Sequence, residues 1–254
     1  MDKVFVVGDI HGNYELLENI LTKWNPEEEQ LVFLGDYIDR GPDSLKVLQK
    51  VMDLTKNYGA IAISGNHEQI LLYWLNNTEK SSEFFFHEKV GGTATIHSLF
   101  PELKENIIFS DVNVLELASK VKEQFSVELE FIKNLKVYYE WDSYLFVHAG
   151  IDVHVEDFKE TKEENFYWIR DEFHSTPHLA KEIVVFGHTP TPNLNKNKSY
   201  DVWVSPCHKK IGIDGGVIYE NGQLHGVVIT KGSNELTVYA AKREEEVFSY
   251  TVKI

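Results

Sequence analysis

Three times in the first 75 residues, a short apolar run ends in glycine, passes through metal-binding or proton-moving side chains, and enters a stretch of helical periodicity. Val4-Phe5-Val6-Val7 leads into Gly8-Asp9-Ile10-His11-Gly12, then into Tyr14, Leu16, Leu17, Ile20 and Leu21. Leu31-Val32-Phe33-Leu34 leads into Gly35-Asp36-Tyr37-Ile38-Asp39-Arg40-Gly41, then into Leu45, Val47, Leu48, Val51, Met52 and Leu54. Ala60 to Ser64 leads into Gly65-Asn66-His67-Glu68 and the apolar stretch to Leu75. Runs of β-branched residues followed by amphipathic segments predict strands alternating with helices, and so a parallel sheet with helices packed on it. Ligands of such sheets bind where the carboxyl ends of the strands gather. Asp9, His11, Asp36, Asp39, Arg40, Asn66 and His67 are therefore expected at one edge.

The rest of the chain adds to that edge. Val137 to Glu140 and Tyr144 to Val147 read as a hairpin turning at Asp142-Ser143, with His148-Ala149-Gly150 after the second strand. Ile183 to Phe186 is another strand, ending in Gly187-His188-Thr189-Pro190. Arg170 lies among aromatic residues, which can hold it rigid. Residues 76–136 break the alternation and read as a mostly helical insertion or cap within a single domain spanning 1–254. Its run Phe84-Phe85-Phe86 is apolar enough to pack on the body or to wall a cleft. Val217 to Tyr219, Gly226 to Ile229, Glu235 to Tyr239 and Val247 to Ile254 read as closing strands, the last an edge strand or docked tail. Asp43 or Ser44 is expected to cap the helix that follows Pro42.

Two carboxylates, three imidazoles and an amide at strand ends are too many ligands for one metal ion and suit two, with one carboxylate shared. The single cysteine, Cys207, excludes an intramolecular disulfide and a thiolate zinc cluster and fits a reducing compartment. Nitrogen and oxygen donors point to two divalent ions, manganese first, with iron, zinc, cobalt or nickel as alternatives. The chain carries 25 Lys and Arg against 40 Asp and Glu, a formal charge of −15. So acidic a chain is not expected to bind nucleic acid, and a phosphorylated substrate needs local offset from metals and one or two arginines. No run is long enough to span a membrane and no secretory layout is visible, so a cytoplasmic protein without a membrane partner is expected, as a monomer or weak oligomer.

The blocks Gly8 to Gly12, Gly35 to Gly41, Gly65 to Glu68, His148 to Gly150 and Gly187 to Pro190 resemble, in order, the signature of the calcineurin-like metallophosphoesterases, closest to the phosphoprotein phosphatase branch in its small bacterial and phage form. The resemblance implies an α/β fold, a sandwich of two mixed sheets flanked by helices in four layers. It places Asp9, His11 and Asp36 on one metal, and Asp36, Asn66, His148 and His188 on the other. It makes His67 the general acid, oriented by Asp39, and Arg40 and Arg170 the phosphate-binding arginines. It implies in-line attack by metal-bound hydroxide without a phosphoenzyme. The expected activity is phosphomonoester hydrolysis, as a serine/threonine protein phosphatase acting also on small phosphorylated substrates. The alternative is symmetrical cleavage of dinucleoside tetraphosphates such as diadenosine tetraphosphate into two ADP.

Overall fold

The computed structural model describes residues 1–103 and 113–254. The chain opens with three strands, each followed by a helix: β1 (Lys3–Val7), α1 (Tyr14–Leu21), β2 (Glu29–Phe33), α2 (Ser44–Tyr58), β3 (Ile61–Ala62) and α3 (Asn66–Asn76). The insertion supplies α4 (Thr78–Phe85), α5 (Gly92–Leu99), α6 (Val114–Gln124) and α7 (Ser126–Lys133). Within the 76–136 insertion, residues 104–112 lie outside the described residues. The hairpin β4 (Tyr138–Trp141) and β5 (Tyr144–Val147) follows, then α8 (Glu163–Trp168), α9 (Asp171–Ser175) and β6 (Ile183–Phe186). The chain closes with β7 (Trp203–Val204), β8 (Lys210–Gly212), β9 (Leu224–Thr230), β10 (Glu235–Ala241) and β11 (Phe248–Lys253).

The strands form two sheets, ordered β11-β10-β9-β1-β2-β3 and β4-β5-β6-β8-β7. β1, β2 and β3 pair in parallel, while β9 turns antiparallel against β1. In the second sheet β5, β6 and β8 are parallel. Alternation along β1 explains the layering, because successive side chains leave a strand on opposite faces. Val4 and Val6 face the second sheet and meet Phe146, Val185 and Ile211 in one core. Phe5 and Val7 face the other way, onto Leu17 and Ile20 of α1 and Val47 of α2. Leu145, Val147, Val184 and Phe186 cover the far face of the second sheet with Phe166 and Phe173. The result is four layers, helix, sheet, sheet, helix. Burying each large apolar side chain contributes about 1.5–3 kcal/mol.

The insertion packs into the same helical layer: Phe85, Ile96, Leu99, Val121 and Ile132 share a core with α1 and α2. Phe85 stacks on Trp74 at 4.5 Å. Two local expectations change. Val217 to Tyr219 is not a strand, because Gly216 at φ +62° turns the chain and Tyr219 N–H donates back to Gly216 O at 2.9 Å. Asp43 occupies the cap position of α2 without a side-chain cap bond, since its carboxylate pairs with Lys46 at 2.7 Å. Ser44 instead points inward, fully buried. Among the described residues β11 is an edge strand, paired with β10 alone.

Candidate metal centre

The carboxyl ends of β1, β2, β3, β5 and β6 meet at one edge shared by both sheets. The loops after β1 and β2 are sewn together by backbone bonds: Ile10 and His11 N–H donate to Asp36 O at 3.0 and 2.8 Å, and Gly12 N–H to Tyr37 O at 2.8 Å. The sheets are joined where His148 Nδ1 donates to Leu34 O at 2.9 Å and where His188 N–H donates to the Asp9 carboxylate at 2.9 and 3.1 Å. Asn66 and His67 lie in the first turn of α3, so its amino end faces the centre.

Asp36 is at the middle. Its Oδ2 lies 3.5 Å from His11 Nε2 and 3.8 Å from His67 Nε2, and its Oδ1 3.4 Å from His148 Nε2. Two groups of side chains bring donor atoms within 4.8 Å of one another: His11, Asp36 and His67, and Asp36, His148 and His188. Asn66 Oδ1 lies 2.9 Å from His148 Nε2 and 2.8 Å from His188 Nδ1. Asp9, Asp36, Asn66, His11, His67, His148 and His188 are all buried.

The donors fit a pair of divalent cations. His11 Nδ1 and His148 Nδ1 each give their proton to a backbone carbonyl, Ile38 O and Leu34 O, both at 2.9 Å. Their Nε2 atoms are then bare acceptors turned toward carboxylate and amide oxygens, the arrangement that second-shell bonds impose on ligating histidines. His188 Nε2 is buried without a partner among the described residues. Two carboxylates also occupy space that a side chain would fill. A Cβ at Gly65 would lie 2.1 Å from Asp36 Oδ1, and one at Gly187 2.0 Å from Asp9 Oδ1.

The electrostatics match. Burial pushes the Asp36 carboxyl up, but His148, His67, His11 and His188 outweigh it and hold the group well below the usual carboxylate range. Burial lowers His11, His148 and His188 below the usual histidine range. Burial raises Asp9, and Asp214 and Asp36 add to the rise. His67 differs: burial opposes its charge, yet Asp36 and Asp39 outweigh burial and raise it. Its Nδ1 is 2.7 Å from Asp39 Oδ2, so Asp39, wholly buried, pairs with His67 and not with Arg40. Arg40 Nη1 reaches His11 Nε2 at 2.6 Å, and Arg170 Nη1 donates to Thr189 Oγ1 at 2.9 Å and His188 O at 3.3 Å. Both arginines are open to solvent. All the residues singled out from sequence thus converge.

His11, Asp36, Asp39, Arg40 and His188 sit at φ between +46° and +70°. Left-handed backbone at a non-glycine residue costs about 1–2 kcal/mol, and such strain gathers at functional sites. Three residues near the centre carried no assigned role in the sequence. Glu68 is buried and accepts Asp36 N–H at 3.0 Å, Tyr37 N–H at 2.9 Å and Gly65 N–H at 2.9 Å, and burial with the nearby Asp36 charge raises its carboxyl to about 7. Thr95 of α5 bonds Asp39. Arg243, in the charged segment after β10, donates to Asn13 Oδ1 and Val217 O. The capping-box spacing from Gly65 to Glu68 is the one local signal among them.

The calcineurin-like phosphoesterase family matches residues 2–219. An asymmetrical bis(5'-nucleosyl)-tetraphosphatase, PrpE, from Oceanobacillus iheyensis is 28% identical over 211 residues, which cover 74% of this chain and 77% of that protein. Serine/threonine-protein phosphatase 1 from Salmonella typhimurium is 45% identical over 71 residues, 27% of this chain and 31% of that protein. Among solved structures, a candidate diadenosine tetraphosphatase superposes with a TM-score of 0.59 at 20% identity, covering 95% of both chains. With the strand-end ligands, the two-sheet sandwich and this match over most of its length, the chain belongs to the calcineurin-like phosphoesterases and is a metal-dependent phosphoesterase with a dinuclear centre.

Proposed function

We propose that the protein hydrolyses dinucleoside tetraphosphates such as diadenosine tetraphosphate. The observation that carries this reading is a pair of recesses, each lined by a residue that touches a histidine of the centre. One, of about 500 Å³, is lined by Gln69, Tyr73, Phe84 and Trp168, and the Trp168 ring lies edge-on to His188 at 6.2 Å. The other, a cleft of about 1300 Å³, is lined by Arg40, Lys89, His97, Tyr219 and Arg243, and Arg40 Nη1 lies 2.6 Å from His11 Nε2. Tyr73, Phe84, Trp168 and Tyr219 are between 43% and 58% exposed, so aromatic faces are open on both sides. A substrate with a base at each end of a polyphosphate matches that arrangement, and aromatic faces stack bases. Arg40, Lys89 and Arg243 give the local positive charge that an acidic chain needs for such an anion. The names of the Oceanobacillus relative and the superposed structure support the same substrate class. The sequence alone puts phosphoproteins first; the two recesses and the longer alignment favour the tetraphosphate reading.

In this reading Asp9, His11 and Asp36 would hold one metal ion, and Asp36, Asn66, His148 and His188 the other; a bound pair, manganese first, would supply charge neutralisation at the phosphoryl group and a more acidic water. Arg40 and Arg170 bind non-bridging oxygens and orient the phosphorus. The water oxygen bonds to phosphorus in line with the departing oxygen. As that P–O bond breaks, His67 gives the departing oxygen the proton on Nε2, while Asp39 holds Nδ1. A water proton restores the imidazole.

The second reading, serine/threonine protein phosphatase, rests on the 45% identical stretch shared with the Salmonella enzyme. One assay separates them: manganese-loaded protein is given diadenosine tetraphosphate and a phosphothreonine peptide at equal concentration. Faster nucleotide release is expected, with ATP and AMP marking asymmetrical and two ADP symmetrical cleavage. Faster orthophosphate release from the peptide would overturn the proposal in favour of the second reading.

A further inference from the structure

The insertion touches the site through α5 and through the loop before it. Thr95 of α5, 1% exposed, donates its hydroxyl to Asp39 Oδ1 at 2.5 Å and accepts Asp39 N–H at 2.9 Å. Ser44 Oγ accepts the same N–H at 3.1 Å and lies 3.2 Å from Thr95 Oγ1. Asp39 is wholly buried, and its other oxygen, Oδ2, pairs with His67. One helical turn on, Ser98 Oγ accepts Leu45 N–H at 2.9 Å, which fixes α5 to the start of α2. The loop before α5 holds the neighbouring residue: Arg40 N–H donates to Gly91 O at 3.2 Å, and its guanidinium to Lys89 O at 3.2 and 3.3 Å.

We infer that Thr95 is a positioning residue for leaving-group protonation, acting through Asp39 on His67. Asp39 has a left-handed backbone (φ +70°) and a carboxylate that can turn about its own bonds. A hydroxyl that both donates to the carboxylate and accepts from the backbone of one residue fixes that residue's rotamer and backbone together. With Oδ1 held by Thr95, Oδ2 stays on His67 Nδ1 and Nε2 keeps its aim at Asp36 and the reacting centre. Valine has the shape of threonine without the hydroxyl, so Thr95→Val leaves Oδ1 with no donor where no water reaches. This inference rests on the assignment of His67 as the proton donor.

The test compares leaving groups. An alkyl phosphate needs a proton on its departing oxygen; 4-nitrophenyl phosphate departs as a stable anion. Wild type, Thr95→Val, Thr95→Ser and His67→Asn, all loaded with manganese, are assayed on both. Thr95→Val is expected to lower kcat on the alkyl ester by ~10-fold or more, a part of the ~10²–10⁴-fold a general acid supplies, and on the nitrophenyl ester by less than about 3-fold. Thr95→Ser is expected to restore both, and Thr95→Ala serves if valine prevents folding. In parallel, the downfield proton on His67 Nδ1, observed by NMR, should be present in wild type and Thr95→Ser and lost or shifted in Thr95→Val. Equal losses on the two esters, or an unmoved proton resonance, would overturn the inference. A His67→Asn variant without leaving-group dependence would instead remove the assignment beneath it.

Discussion

The two sheets contribute to the same centre in different ways. The first supplies Asp9, His11, Asp36, Asp39, Arg40, Asn66 and His67 from three consecutive strand ends, four of them on left-handed backbone. The second supplies His148 and His188 from β5 and β6, with Arg170 between them, and of these only His188 has positive φ. In the first, loops are tied to loops by main-chain bonds and by Glu68, which gathers three N–H groups. In the second, the histidines are tied across to the first sheet, His148 through Leu34 O and His188 through the Asp9 carboxylate, above a packed layer where the Phe173 ring lies against Phe186 at 5.2 Å and buried Lys210 donates to the carbonyls of Phe173 and Thr176. Geometry set by neighbouring residues is written in a motif; geometry set by contacts between distant segments is spread over the chain.

The strongest way to break this contrast is at the residue both sides share. Asp36→Ala should release both metal ions, read by elemental analysis, and lower turnover beyond the ~10–100-fold that losing an outer partner costs a metal site. Loss of a single ion would mean that the two contributions bind independently. Next comes His67→Asn, expected to keep both ions and lower turnover of an alkyl phosphate by ~10²–10⁴-fold. Cleavage of a dinucleoside tetraphosphate should fall less, because a nucleotide leaves readily without a proton. An empty metal site in that variant would make His67 a ligand, as its place beside His11 and Asp36 allows.

A paired substitution sharpens the contrast. Glu68→Gln weakens the bonds to three buried N–H groups and should lower stability by about 1–3 kcal/mol in urea unfolding, and metal affinity by ~10-fold with it. Phe173→Leu, under the second sheet, should lower stability by a similar amount with metal affinity nearly unchanged. Equal effects on affinity would erase the distinction.

The last effect is one of pH, at a buried histidine outside the ligand set. Burial lowers His225 to about 4, with its Nδ1 bonded to Ile213 O at 2.9 Å. Its folded value lies below its unfolded value of 6.5. Its share of stability is therefore whole above pH 6.5 and lost as pH falls toward 4, on the order of 3 kcal/mol in all. His225→Gln should flatten that part of the pH–stability curve.

The same contrast explains what could be read from the sequence. The strand ends were legible because each packs its signal into a few adjacent residues: an apolar run, a glycine, a ligand. His148 and His188 were legible more weakly, as single histidines after strands. Thr95 was not legible, since its partner Asp39 is 56 residues away and nothing local separates a bracing threonine from a helical one. Arg243 lay hidden in a charged stretch for the same reason, its partner Asn13 being 230 residues away. Val217 to Tyr219 misled because apolar β-branched residues bury as well in a turn as in a strand, and the deciding feature was the left-handed Gly216 before them.

The empty Cβ positions at Gly65 and Gly187 have a consequence for recognising this site elsewhere. Each glycine makes room for a carboxylate contributed by a different strand end, so it and its aspartate are one unit split across the chain. A distant sequence that keeps both aspartates but carries alanine at either glycine is best read as a lapsed site, whatever its ligand count. One that keeps the glycines and has exchanged a histidine is better read as a frame kept for a different metal.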